Sequence, residues 1–389
     1  MLPLRYALGN LLARRARTAL TVSVIALVVV ASTLFSGLVS SLKRTFVTSG
    51  NPRNLIVMRK GATNDGSSAV PLEAFQALRF FEGVARGPNG QPLASPELVV
   101  QPFFHTPGGG RENVLVRGVE PVAFRVHRAV HLVAGRAFAP NLGEVVVGAD
   151  AARRYGVGIG DHIELGRRHW TVVGLFDSGG TALDSEIWAD VSDVQDDTRR
   201  EGYSGVRVTM APGGDMRNLR DRIESDGRFT LEAKPEVTYY AEQAETANAL
   251  YVLVLTLAIV MGAGATFGAL NTMYAAVANR TPEIGTLRAL GFGRGAILVS
   301  FLAESLMLAL AGLVAGFVLA GVAMFAINTL LSGVAFSMMT FTVATVLLAP
   351  TFGGALLGVG FAAAIGLLGG LGPAWRAAHL PVVEALRHA

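Results

Sequence analysis

The sequence predicts a membrane protein with four transmembrane α-helices and a large α+β extracytoplasmic domain inserted between the first and second. Three observations carry this reading. Four stretches (18–42, 249–278, 296–331 and 341–372) are apolar and hold at most one charged side chain each, and a bilayer core about 30 Å thick takes about 20 such residues as a helix. Charged residues are only 16% of the chain, against about 25% in soluble domains, and the mean hydropathy is +0.45. Residues 43–248, by contrast, hold most of the charges and the turn signals Asn51-Pro52, Pro107-Gly108-Gly109-Gly110 and Gly179-Gly180.

Taken in order, residues 1–17 form a short tail with Arg5, Arg14, Arg15 and Arg17 and no acid. The run 18–42 is too long for a signal-peptide core of about 7–15 residues and no clear A-x-A site follows it, so it reads as a retained anchor. In the insert, short β-branched runs at 54–58, 97–104, 113–116, 144–147, 169–176 and 205–210 read as strands. Helical patterns lie at 72–81 after Pro71, at 149–155 before a capping Gly156, at 216–223 and at 237–248. Strands and helices interleave without a regular β-α-β period, which favours a mixed α+β domain. Nothing breaks the chain between Glu236 and Ala278, so one long helix is expected, running as a stalk from the outer domain into the membrane as the second span. Residues 279–295 carry Arg280, Arg288 and Arg294 against Glu283, the loop 332–340 has no charge, and the tail 373–389 has Arg376 and Arg387 against Glu384. Arginine and lysine in short loops mark the cytoplasmic side; both termini and the 279–295 hairpin are therefore expected in the cytoplasm.

Most catalytic chemistries find no support. The chain has no cysteine, hence no disulfide, thiolate metal site or cysteine nucleophile. It contains no G-x-x-x-x-G-K-[ST] phosphate loop and no G-x-S-x-G elbow. The glycines at 156, 158 and 160 precede a strand instead of opening a helix and read as a turn. His127 and His131 are four apart but lack an acid to complete a zinc site. No catalytic, cofactor or metal residue is assigned. The net charge of +4 is explained by topology in the short basic tails, and nucleic-acid binding is not expected. Glu304 is the single ionisable residue of the third and fourth runs. An intramembrane carboxylate calls for a partner, and Arg288, Arg294 or another chain are the candidates. Small-xxx-small pairs, among them Gly264/Gly268 and Gly312/Gly316, suit close helix packing.

The most informative stretch follows the second run. Thr281 reads as a cap, Pro282 suits the first turn and Glu283 complements the helix dipole. The helix would stop at Gly291, with Ile284, Leu287 and Leu290 on one face and Arg288 polar. It is too short to span a bilayer. Two readings fit: a helix lying in the headgroup layer, or one docking in a groove of a cytoplasmic partner. This segment, R-T-P-E-I-G-T-L-R-A-L-G-F with F-L-A-E-S after it, resembles the permease signature of MacB-type, LolC/LolE-type and FtsX-type proteins, the type VII ABC transporter subunits. The layout of one span, an outer domain and three spans is similar to theirs, and G-I-G-D with V-V-G-L-F between residues 158 and 176 resembles, more weakly, the MacB-type outer domain.

The resemblance implies a multi-pass protein of the bacterial inner membrane that conveys motion and is not itself an enzyme. Thr281, Pro282, Glu283, Ile284, Gly285, Leu287, Arg288, Leu290 and Gly291 match the coupling helix that docks on the nucleotide-binding subunit. Two ABC ATPase subunits, which bind ATP and Mg, and a second permease chain, as a homodimer, are the implied partners, with a periplasmic adaptor and an outer-membrane channel. MacB carries a fused ATPase, whereas these residues begin with a short Arg-rich tail, so a separate ATPase is expected. Mechanotransmission driving export from the periplasm is the leading expectation. Lipoprotein release and control of a cell-wall hydrolase are alternatives within the class; a sensor without an ATPase and a secondary transporter lie outside it.

Overall fold

The computed structural model describes residues 15–105, 111–331, 333–337 and 343–381. The tail residues Arg5, Arg14, Glu384 and Arg387 and the turn at 107–110 lie outside them. In chain order the elements are α1 (Arg15–Ser49), β1 (Asn54–Arg59), α2 (Leu72–Leu78), β2 (Ala94–Val100), β3 (Phe103–His105), β4 (Arg111–Asn113), β5 (Leu115–Val119), α3 (Ala123–Val126) and β6 (His131–Gly135). There follow β7 (Glu144–Gly148), α4 (Ala149–Tyr155), β8 (His162–Leu165), β9 (Arg168–Asp177), β10 (Glu186–Asp190), α5 (Val191–Thr198), β11 (Gly205–Thr209), α6 (Met216–Glu224) and β12 (Leu231–Pro235). The last elements are α7 (Glu236–Ala278), α8 (Thr281–Ala289), α9 (Arg294–Leu330), β13 (Val334–Ser337), β14 (Val343–Val346) and α10 (Phe352–Ala378). Two compact units result: residues 41–247 with 332–347, and 1–40 with 248–331 and 348–389 as far as these are described.

Among the described residues, four helices are long and apolar enough to cross a membrane: Thr18–Phe46, Ala249–Ala278, Arg294–Leu330 and Phe352–Ala378. Small residues bring three of them together. A Cβ on Gly312 would lie 2.7 Å from Ile25, and one on Gly316 would lie 2.6 Å from Val29, so α9 rests directly on α1. Gly366 and Gly370 likewise meet Ala309 and Ser305, and the Ser305 hydroxyl donates to the Gly366 carbonyl at 2.7 Å. Gly264 and Gly268, expected to pack, face open space, on a side of α7 that also exposes Val260 and Phe267.

The fourth span corrects the reading of 341–372 as one helix and 332–340 as a plain loop. Residues 334–337 and 343–346 pair as an antiparallel hairpin, and the helix begins only at Phe352. Hydropathy sees F-T-V-A-T-V as more of the same apolar run, but its β-branched residues favour a strand. The true start is next to Pro350, at Thr351, whose hydroxyl accepts from Gly354 N at 3.1 Å and caps the helix.

The outer unit is built on one mixed sheet, ordered β12-β1-β11-β2-β5-β10-β7-β9-β8-β3-β4, with β6 also beside β9. Among the described residues only the pairs β5–β10 and β7–β9 are parallel. The expected strand at 97–104 is two strands broken at Gln101-Pro102, and β6, β8, β10, β12, α3 and α5 went unforeseen. Both faces of the central strands are buried, and strict alternation separates their chemistry. Leu55, Leu98, Val116, Ile187 and Val206 enter one apolar core. Their neighbours Asn54, Glu97, Arg117, Glu186 and Arg207 all turn to the other face, and all are buried.

Candidate functional site

Where α7 ends, the chain makes a tight hairpin before re-entering the helical unit. Arg280 precedes the nine-residue helix α8, with proline in its first turn. Thr281 is the first helical residue and not the cap: its hydroxyl donates back to the carbonyls of Val277 (3.3 Å) and Ala278 (3.0 Å). After Leu290 the chain turns at Gly291, whose φ of +92° is a left-handed conformation that favours glycine. α9 then starts at Arg294.

Packing divides α8 into two sides. Ile284 and Gly285 are buried; Ile284, with Leu287 beside it, joins a cluster of Met273, Val277, Ile297 and Phe301. Glu283, Thr286, Ala289 and Leu290 face outward, and Leu290 is 73% exposed. The expectation that Leu290 shares a face with Ile284 and Leu287 is therefore corrected: it lies past the last helical turn, where the register no longer applies. Pro282 and Arg288 are half-buried between the two sides.

Glu304 is 6% exposed and pairs with Arg280, not with Arg288 or Arg294. The contact is a fork: Nη1 to Oε2 at 2.7 Å and Nη2 to Oε1 at 3.1 Å. The guanidinium carbon stands 6.0 Å from the centre of the Phe301 ring. A guanidinium fork matches a carboxylate in two parallel hydrogen bonds, and the pair fastens the start of α8 to α9. Reading Arg280 only as a topology marker missed this. The signal was present, because a carboxylate in an apolar run needs a cation; choosing among three arginines required the turn itself.

His127 and His131 fall on different elements: His127 caps the end of α3, and His131 begins β6. His127 Nε2 lies 2.7 Å from Glu97 Oε1. Among the described residues no group of three or more His, Cys, Asp or Glu is placed to hold a metal.

The MacB-like periplasmic core domain family matches residues 18–226, more than half of the chain. The FtsX-like permease C-terminal family matches residues 255–382. The chain belongs to the MacB/FtsX-like family of ABC transporter permeases. The macrolide export ATP-binding/permease protein MacB of Bdellovibrio bacteriovorus is 26% identical over 314 residues, 71% of this chain and 44% of that protein. An ABC transporter permease of Bacillus subtilis, YvrN, is 35% identical over 149 residues, 38% of this chain and 33% of its own length. The chain thus spans less than half of these curated relatives. Among solved structures, the periplasmic region of MacB from Actinobacillus actinomycetemcomitans aligns with 49% of this chain and 92% of its own, at 11% identity and a TM-score of 0.40. The molecule is a multi-pass inner-membrane permease, with four candidate transmembrane helices among the described residues and a sheet-rich MacB-like domain between the first and second of them.

Proposed function

We propose that this permease works by mechanotransmission, as a homodimer with two copies of an ABC ATPase. ATP and Mg bind to the ATPase, and closure of the ATPase pair moves the hairpin at α8. That motion passes along α7 into the outer domain, where it drives export of a compound or peptide from the periplasm through an adaptor and an outer-membrane channel. Both termini and the hairpin lie on the cytoplasmic side in this reading, which the arginine distribution supports.

One observation carries the docking role. α8 is too short to span a bilayer, presents Glu283, Thr286 and Leu290 outward, and is held from behind by apolar packing and the Arg280–Glu304 fork. A clamped helix with an exposed outer face is suited to receive a push without yielding. The relatives named for macrolide export favour an export task; lipoprotein release and hydrolase control remain the other tasks compatible with the same machinery.

The test is co-purification of the full chain with its ATPase. Glu283→Ala and Arg288→Ala are each expected to lower recovery of the ATPase, or to leave ATP turnover running without export. Unchanged recovery and unchanged export in both variants would refute the docking role.

A further inference from the structure

The buried polar face of the outer sheet converges on the first turns of α7. Arg207 donates from Nε to Glu236 Oε1 at 3.0 Å, and its Nη1 bonds Glu97. Arg117 bonds Glu97 Oε2 at 2.8 Å and Glu186 Oε2 at 2.7 Å. His127 closes on the other oxygen of Glu97. Arg207, Glu97 and Glu236 are each no more than 1% exposed. Such networks are poor sources of net stability, because desolvating the charges offsets their attraction, and an apolar replacement of similar size is often as stable. What they do supply is direction: a fork and a carboxylate tolerate little sliding or rotation.

On the helix side Glu236, Tyr239, Tyr240 and Gln243 lie on one face of α7, and each makes a hydrogen bond. The Tyr239 hydroxyl donates to Asp65 Oδ1 at 3.1 Å and accepts from Asp65 N at 3.2 Å. Arg207 Nη2 reaches the Tyr240 hydroxyl at 3.5 Å, and Gln243 Nε2 donates to Thr63 O at 3.2 Å. Glu236 also takes the Asn51 backbone N–H at 3.1 Å, just past the end of α1. Gly50 makes that approach possible, since a Cβ there would sit 2.7 Å from Val237 Cα.

We infer that Glu236, Arg207 and Tyr239 are positioning residues, forming a rigid joint that fixes the start of the stalk helix and the end of α1 to the outer sheet. This rests on the mechanotransmission reading and names the place where the stalk grips its load. An apolar contact would let the stalk slip or roll under force; the polar joint turns its movement into movement of the sheet.

The chain has no native cysteine, so paired labels can be placed without background. Nitroxides at Lys60→Cys and Glu242→Cys, both exposed, report the stalk against the sheet in the full chain reconstituted with its ATPase. A second pair, Arg228→Cys on the two copies, reports the outer-domain response to a non-hydrolysable ATP analogue. With the native joint, the Lys60–Glu242 distance should be one narrow peak, unchanged by the analogue. Glu236→Gln, Tyr239→Phe and the apolar pair Arg207→Met/Glu236→Met should each broaden it. The two Glu236 variants should reduce the Arg228 response at least fivefold while ATP hydrolysis stays within twofold. Glu236→Asp should restore part of that response. If the apolar pair folds, keeps the narrow peak and responds fully to nucleotide, the cluster only stabilises the domain and the inference is overturned. Tyr239→Phe decides the same question if the Glu236 variants do not fold: an unbroadened peak there overturns it too. A wild-type chain that shows no Arg228 response overturns mechanotransmission itself, while the Lys60–Glu242 peak still decides whether the joint is rigid.

Discussion

Replacing Glu304 by Gln should be among the most destabilising single changes in the helical unit, and pairing it with a second change should reverse the loss. Glu304 and Arg280 are both about 5–6% exposed, and their fork is made of bonds at 2.7 and 3.1 Å. Glutamine keeps the size and one acceptor but leaves the guanidinium buried and uncompensated. Removing one partner of a buried pair costs about 3–5 kcal/mol; with the retained acceptor and the Phe301 ring nearby, the lower end applies, about 3 kcal/mol. At about 1.4 kcal/mol per factor of ten, the folded-to-unfolded ratio drops roughly 100-fold. Arg280→Met alone strands the carboxylate and should cost as much or more. The double variant Arg280→Met/Glu304→Met removes both charges and should recover to within about 1 kcal/mol of the parent. The assay is a double-mutant cycle of Arg280→Met, Glu304→Met and the pair, on denaturant unfolding of the chain in detergent, where the coupling term should exceed about 2 kcal/mol. A Glu304→Gln variant within about 0.5 kcal/mol of the parent, or a double variant no better than the worse single, would refute the reasoning. The same double variant carries a functional forecast: stability returns, yet ATP turnover no longer drives the outer domain, because the start of α8 has lost its directional hold on α9.

Three further outcomes follow from the geometry. Gly312→Ala and Gly316→Ala should each cost about 1–3 kcal/mol by overpacking α9 against α1, whereas Gly264→Ala and Gly268→Ala should leave thermal unfolding of the monomer unchanged; equal effects at all four would contradict the packing. In the outer domain, burial pushes the Glu97 carboxyl up, but Arg207, His127 and Arg117 outweigh it and hold the group well below the usual carboxylate range. A depressed folded pKa stabilises above the unfolded value of about 4.3 and loses that stabilisation as pH falls through the folded one, so the stability gap between the parent and Glu97→Gln should shrink as pH falls below about 4; a gap that widens on acidification below about pH 4 would contradict it. Finally, a Pro-Gly insertion near Ala247, within the continuous α7, should abolish export while ATPase recovery is unchanged, and full export would exclude the lever.

The spans and the hairpin were legible because lipid leaves few choices: a long apolar run must satisfy its backbone internally and so is a helix. The same logic failed where apolarity no longer meant a span. Residues 343–346 are a strand, and only Pro350 and the Thr351 cap mark where the helix truly begins. The 43-residue α7 was readable from the missing breaker after Glu236. What its first turns grip was not. In β5 and β11 the alternations V-R-G-V and V-R-V place Arg117 and Arg207 opposite the apolar core, which by pattern alone looks like a solvated face. Only the pairing of β2, β5, β10 and β11 brings Glu97 and Glu186 to them, and those contacts span 20 to 110 residues. Gly264 and Gly312 have the same small-xxx-small spacing, and nothing local says which one meets a neighbour.

The most direct test of the central claim measures the outer domain while nucleotide acts on the other side of the membrane. The cysteine-free chain, labelled at Arg228→Cys and reconstituted with its ATPase, should show one distance between copies without nucleotide and a shifted one with a non-hydrolysable ATP analogue, the shift disappearing when residues 281–290 are replaced by a Gly-Ser linker. An unchanged distance in a complex that binds nucleotide, or a shift that survives loss of the hairpin helix, would contradict the account.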